Sequence, residues 1–411
     1  MLSALKQHGL LFFILSMLTG LIGSFVNPLM SLFIVEGLHS PPAYIGMYTV
    51  AVTLAGLVFS QWLGTLADKG ISARKMFMIA VSGMAAALLV FANTSSFWVV
   101  LVAGVILFSM GNAAIPQVLT LGRQWAVQQP DVNLAQFNAR LRAAISFAWI
   151  GGPPLGYALA AGVDFDRSFY MAAFFALVAL CFAAVFIPEV ATSSPQASNH
   201  RTQKTPAYFW LMVLAITFGS VGNIMYSSAL PLYVINELGF ATHTPGIFMG
   251  LVACLEIPVM LYAGKLAHKR NKIKMFGVAF GCAMVFYIGV FFATQVWQLI
   301  ALQFINALFY GVFAGLGLTI LQDQLPARIG FTAAVYSNAI KVGMMLGTTA
   351  TGVLAQFFSF RFATIGAFCA AGAALSCLLL FNYRKNLARN AGPNHISGNA
   401  GSGQLAGSQV Q

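Results

Sequence analysis

Gly64-Thr65-Leu66-Ala67-Asp68-Lys69 closes the second of about twelve long apolar stretches, and Gly264-Lys265-Leu266-Ala267-His268-Lys269 closes the eighth, 200 residues later. The echo continues on either side. Gly23-Ser24 and Asn27 in the first stretch match Gly219-Ser220 and Asn223 in the seventh, and Arg142 in the fifth matches Lys341 in the eleventh, 199 residues on. A hydrophilic segment separates the sixth stretch from the seventh. The chain therefore reads as a six-span unit written twice in the same direction. Parallel duplication of membrane helices is an arrangement for moving a solute, with the site near mid-membrane where the copies face each other.

Composition agrees. Of 411 residues, 59% are hydrophobic and 7% are charged, against about 25% charged in a soluble protein. The net charge of +12 does not imply a nucleic-acid partner, because the basic residues sit where a membrane protein holds them on its cytoplasmic side. The five cysteines (Cys181, Cys254, Cys282, Cys369, Cys377) fall in apolar runs without ligand-like spacing and read as buried small hydrophobes. The six histidines form no metal cluster, and no cofactor is implied. Lys6 precedes the first apolar stretch, but that stretch is too long for a signal peptide and lacks a cleavage site, so it reads as a span.

The spans are predicted at 9–35, 43–64, 76–93, 97–121, 138–162, 168–188, 207–235, 244–264, 274–293, 297–321, 333–357 and 361–383. With the N-terminus inside, sixteen Lys/Arg fall in cytoplasmic segments and only Arg167 and Arg361 outside. That asymmetry orients the chain with both termini cytoplasmic. The domain reading is an N-terminal six-helix bundle over 1–190, a cytoplasmic linker over 191–206, a C-terminal bundle over 207–385 and a disordered tail over 386–411. The sequence carries no Walker-type loop, so energy for pumping would come from a gradient.

Gly64 to Gly70, followed by Arg74-Lys75, resembles the signature loop between the second and third helices of the major facilitator superfamily. Ala113-Ala114-Ile115-Pro116-Gln117, Ala148-Trp149-Ile150-Gly151-Gly152-Pro153-Pro154, Leu255-Glu256-Ile257-Pro258 and Leu302-Gln303-Phe304-Ile305-Asn306-Ala307 resemble the bacterial sugar efflux transporters. The similarity spares only the linker and the tail. It implies an all-α integral membrane protein of the major facilitator fold, with twelve transmembrane helices in two halves related by a pseudo-twofold axis. It also implies residence in a bacterial inner membrane and export of lactose, glucose and alkyl or aryl glycosides, against proton entry. A monomer is expected. Two departures are visible. Span 4 lacks the mid-helix arginine of many proton-coupled relatives, and Gly151-Gly152-Pro153-Pro154 differs from the exporter Gly-Pro consensus it resembles.

Glu256 is the one acidic residue deep within a predicted span, where its replacement of Gly56 breaks the repeat. An ionisable group at mid-membrane is costly and marks function by default. A carboxyl that can be neutral or charged suits proton coupling; the alternative is a structural, permanently neutral or paired glutamate. Lys341 is the candidate partner of Glu256 or Asp323, or a ligand contact, whereas Arg142 can snorkel to the interface. Asp68 and Arg74, after Gly64, are expected to gate the cytoplasmic mouth, with Arg142 and a hinge at Pro153 and Pro154. For substrate, the candidates are Asn27, Asn112, Gln117, Asn223, Gln303, Asn306 and Asn338, whose amides match sugar hydroxyls as donors and acceptors, together with Tyr226 and Trp149 for ring faces. Ser24-Asn27-Ser31, Ser220-Asn223-Ser227 and Gln303-Asn306-Tyr310 each follow i, i+3, i+7 spacing. Such stripes also arise from helix–helix hydrogen bonding, which serines commonly make.

Sugar efflux by proton antiport is the preferred reading. A multidrug or amphipathic-compound exporter keeps the fold and changes the cargo. A membrane sensor lacks a soluble signalling domain in the sequence, and an enzyme lacks a nucleophile–base pair.

Overall fold

A computed structural model describes residues 2–68, 71–129, 132, 134–162, 165–187, 205–267 and 269–390. The predicted linker, except residues 205 and 206, and the tail beyond 390 lie outside the described residues, as do Lys69 and His268 of the two signature loops.

Twelve helical units follow one another, with no strand among the described residues. The first half comprises α1 (Leu2–Val26), α2 (Ala43–Asp68), α3 (Ala73–Ala92), α4 (Phe97–Ile106 and Ala114–Val127), α5 (Leu134–Gly162) and α6 (Phe165–Phe186). The second comprises α7 (Ala207–Leu232), α8 (Thr244–Leu266), α9 (Lys272–Phe292), α10 (Val296–Gln322), α11 (Ile329–Phe357) and α12 (Phe362–Asn390). Capping repeats with the helices. Ser72 Oγ accepts from Lys75 N at the start of α3, and Asn271 Oδ1 accepts from Ile273 N at the start of α9.

The duplication is most regular where α1 and α7 end. Both finish in a π turn, Phe33–Gly37 and Tyr233–Glu237. Leu38 N then donates to Phe33 O at 2.8 Å and Leu238 N to Tyr233 O at 3.1 Å. The left-handed backbone positions that follow, His39 (φ 48°) and Gly239 (φ 69°), stand 200 residues apart.

Within each half the same device joins corresponding helices. Ser24 Oγ donates to Ala148 O at 2.9 Å on α5, and Ser220 Oγ to Ile340 O at 3.2 Å on α11. Each serine sits against a glycine, Gly152 or Gly343, where a Cβ would collide with it. Of the serines in the predicted stripes, Ser24 and Ser220 thus hold helices together, whereas Ser227 bonds within its own helix.

Ten helices are apolar and long enough to span a membrane by themselves. The two that fall short of that measure are the equivalent pair α5 and α11, which carry Arg140, Arg142 and Lys341. They pack between neighbours, α5 on α1 and α8, α11 on α7 and α2, so partners replace lipid around them. The cysteines correct one expectation. Cys181, Cys254 and Cys369 are exposed and Cys282 and Cys377 half-buried, because the outward face of a membrane helix is itself apolar and accepts a thiol as readily as a core does.

Candidate functional site

The halves meet along α2–α11 and α5–α8. Small residues let the backbones approach at the end opposite the α2–α3 loop. A Cβ on Gly46 would lie 2.6 Å from Thr349 Cα, and one on Gly352 2.7 Å from Pro42 O. On the other seam, a Cβ on Gly250 would lie 2.6 Å from Pro154 Cγ, and one on Gly246 3.0 Å from Pro153 O. Pro153 and Pro154 therefore form part of the inter-half contact, inside a continuous α5. Asn236 Nδ2 donates to Glu36 Oε1 at 2.6 Å across this end. Positions 36 and 236 are equivalent in the 200-residue register, so this bond joins symmetry-related sites.

Nearer mid-membrane stands Glu256, half-buried on α8. It makes no ion pair or hydrogen bond with any other described residue. Tyr310 on α10 lies within electrostatic range of both Glu256 and Tyr336, and Tyr336 on α11 within that of Arg142.

Two helices of the first half are interrupted. α1 tightens into a 3-10 turn at Asn27–Leu29, and α4 does so over Phe108–Ala113. Pro28 and Pro116 lie at these breaks. Each break carries an exposed amide, Asn27 or Asn112. Asn338 is exposed and Asn223 half-buried, and none of the four makes a side-chain hydrogen bond with another described residue. Gln117 Oε1 is buried without a partner, and Trp149 is 38% exposed. Broken helices with free polar groups at membrane depth are tolerated where they line a cavity, and they are where transporters place solute sites.

The Major Facilitator Superfamily profile matches residues 12–295 and 275–401. The chain is 31% identical over 355 residues to sugar efflux transporter B of Salmonella typhimurium (strain LT2), covering 85% of this chain and 89% of that one. It is 30% identical over 371 residues to sugar efflux transporter A of Dickeya chrysanthemi, covering 89% and 94%. The chain belongs to the sugar efflux transporter family of the major facilitator superfamily. It is a multi-pass membrane transporter and not an enzyme. The crystal structure of the nucleoside transporter NupG shares the fold, with a TM-score of 0.74 at 14% identity, covering 92% of this chain and 98% of that one.

In this major facilitator several predicted site residues are placed elsewhere than the open face. Gln303, Asn306 and Tyr226 come together, but in the core of the second half, at 0%, 3% and 4% exposure. Gln303 Nε2 donates to Tyr226 OH at 3.0 Å, and Asn306 Nδ2 to Gln303 Oε1 at 3.2 Å. Gln303 thus joins α10 to α7 and Asn306 bonds back to it, while Tyr310 packs against Phe309 and Phe313. In this conformation the buried three are closed to a ligand.

The expected cations also sort differently. Asp323 pairs with Lys272 at 2.6 Å, which removes it as a partner for Lys341. Lys341 is half-buried and unpaired among the described residues. It lies twelve residues inside α11, or about 18 Å at the helical rise. Arg74 is occupied within the first half: its Nε donates to Ala183 O at 3.1 Å and Nη2 to Ala184 O, where it caps the carbonyl end of α6. The side chain of Asp68 and the surroundings of Gly64, and with them the expected gate contact to Arg74, lie outside what the structure describes.

Sequence reasoning missed Glu36, Asn236 and Tyr336. The first two were findable by extending the 200-residue register to the ends of α1 and α7. Tyr336 carries no comparable signal.

Proposed function

We propose that the protein exports sugars and small glycosides by alternating access, with proton entry driving the movement. The observation that carries the sugar reading is the similarity to sugar efflux transporters over most of the chain. Unpaired amides on the broken helices support it, since a pyranose needs paired donors and acceptors at each hydroxyl. Asn27, Asn112, Gln117, Asn223 and Asn338 are the proposed hydrogen-bonding groups, and Trp149 the ring-face contact.

Glu256 is the proposed proton carrier. Lacking a fixed cationic partner, it gains or loses a proton without breaking an ion pair. Competition between a proton and a sugar-engaged carboxylate would couple the two fluxes. Lys341 is proposed as a ligand or coupling contact from the symmetric partner of α5.

The basic end is assigned to the cytoplasm of a bacterial inner membrane, with both termini inside and one chain as the working unit. With that orientation, closure at the far end by Glu36–Asn236 and the glycine seams corresponds to an inward-open state. The test is counterflow in liposomes with labelled lactose, glucose and a hydrophobic cation. Saturable exchange of a sugar supports the reading. Exchange of the cation alone would move the protein to the amphipathic-compound exporters.

A further inference from the structure

The position of Glu256 has a counterpart in the first half, and the structure shows what fills it. In the second half a Cβ on Gly311 of α10 would lie 2.9 Å from Glu256 O of α8. In the first half the equivalent helices, α2 and α4, meet at Gly56 and Asn112: a Cβ on Gly56 would lie 2.3 Å from Asn112 Nδ2 and 3.3 Å from Asn112 Cβ. The pairs 56/112 and 256/311 are the same contact within one residue of register. Where α8 bears an acid and α10 a glycine, α2 bears a glycine and α4 an amide, whose Nδ2 fills the space a Cβ at 56 would need.

Two further observations bear on that amide. α10 runs unbroken through this level, whereas α4 is tightened over Phe108–Ala113, the segment that contains Asn112. Asn112 is exposed and makes no hydrogen bond with another described residue. An unpaired amide in mid-span does not belong against lipid, where leaving it unsatisfied costs free energy. It belongs on a watered path with both its donor and its acceptor free.

We propose that Gly56 is a positioning residue of the sugar site: its missing side chain seats Asn112 so that this amide recognises a sugar hydroxyl pair, as the first half's counterpart to the Glu256 level of the second. The inference rests on the sugar reading above and adds the residue that sets the geometry. Any side chain at 56 evicts Asn112 from its seat. Gly56 touches no substrate itself, so its effect passes through Asn112 and vanishes when Asn112 is absent.

The experiment compares wild type, Gly56→Ala, Asn112→Ala and the double variant in proteoliposomes, reading glucose and lactose counterflow against concentration, with thermal unfolding in detergent alongside. Each single variant should raise the half-saturating sugar concentration by ~10-fold, the equivalent of one lost hydrogen-bond group, with the maximal exchange rate kept. The double variant should be no worse than Asn112→Ala alone, since the two act as a unit, and it should recover any thermal stability lost in Gly56→Ala. Wild-type half-saturation in Asn112→Ala, or additive losses in the double variant, overturns the proposal while leaving sugar export standing. Absence of sugar exchange by the wild type overturns the sugar reading and this inference with it.

Discussion

Glu256 has to be reconciled with its surroundings. An uncompensated charge at the centre of a membrane helix costs roughly 2.5–3.5 kcal/mol, and no cation among the described residues offsets it by direct contact. In the proposed function its protonation changes during the cycle. Glu256→Gln fixes the neutral form. It should abolish sugar flux driven by a pH gradient and spare sugar exchange at equal pH. Unchanged gradient-driven flux would remove Glu256 from the coupling. Gln303 makes the opposite case. Truncation to Ala leaves Tyr226 OH and Asn306 Nδ2 without their buried partner, a loss of about 1–3 kcal/mol. Gln303→Ala should lower thermal stability in detergent and keep half-saturation for sugar. A wild-type unfolding curve with weakened sugar binding would restore Gln303 as a ligand. The acid was legible in the sequence because a lone charge in an apolar run has few explanations. The amides were not: i, i+3 spacing says that Gln303 and Asn306 share a face of α10, and it cannot say whether that face meets water or α7.

At the scale of elements, the interruptions of α1 and α4 distinguish the first half from the second. Pro28 and Pro116 lie at the breaks, and the structure shows that each break carries an exposed amide. The equivalent α5 and α11, least apolar of the twelve, run between the halves and supply both seams. Their glycine contacts set how closely the far end shuts. Leucine at 250 would place a branched side chain where Pro154 Cγ already stands 2.6 Å from a bare Cβ. Gly250→Leu should hold that end apart, seen as a longer distance between spin labels on the outer ends of α5 and α8. An unaltered distance would mean that this seam does not govern closure. The Glu36–Asn236 bond is exposed, so its loss is worth only ~1 kcal/mol, about a fivefold shift between two states. Asn236→Ala should therefore widen the population with the far end open without abolishing closure. An unchanged population would reduce the bond to a surface contact.

The whole molecule is a duplication that has diverged in chemistry while keeping its frame. The order and approximate limits of the spans followed from one repeated phrase and the spacing of apolar stretches; the repeated caps, π turns and serine–glycine joints are visible only in the structure. Predicted span limits fall within a few residues of the helical units, except that α1 starts at Leu2, before its apolar stretch, and α4 and α12 run on past theirs to Val127 and Asn390. What does not repeat is the pair of broken helices in the first half and Glu256 in the second, while unpaired amides stand in both: Asn27 and Asn112 in the first, Asn223 and Asn338 in the second. Division of this kind is invisible to hydropathy, because it depends on which helix fills a gap left by another. The proposed function predicts that sugar and protons move in opposite directions through one alternating site. The direct test uses vesicles containing wild-type protein and a trapped pH dye, with an imposed glucose or lactose gradient and no initial pH difference. Proton movement opposite to the sugar, absent in Glu256→Gln, is the predicted result; sugar equilibration by the wild type with no proton movement would contradict the account.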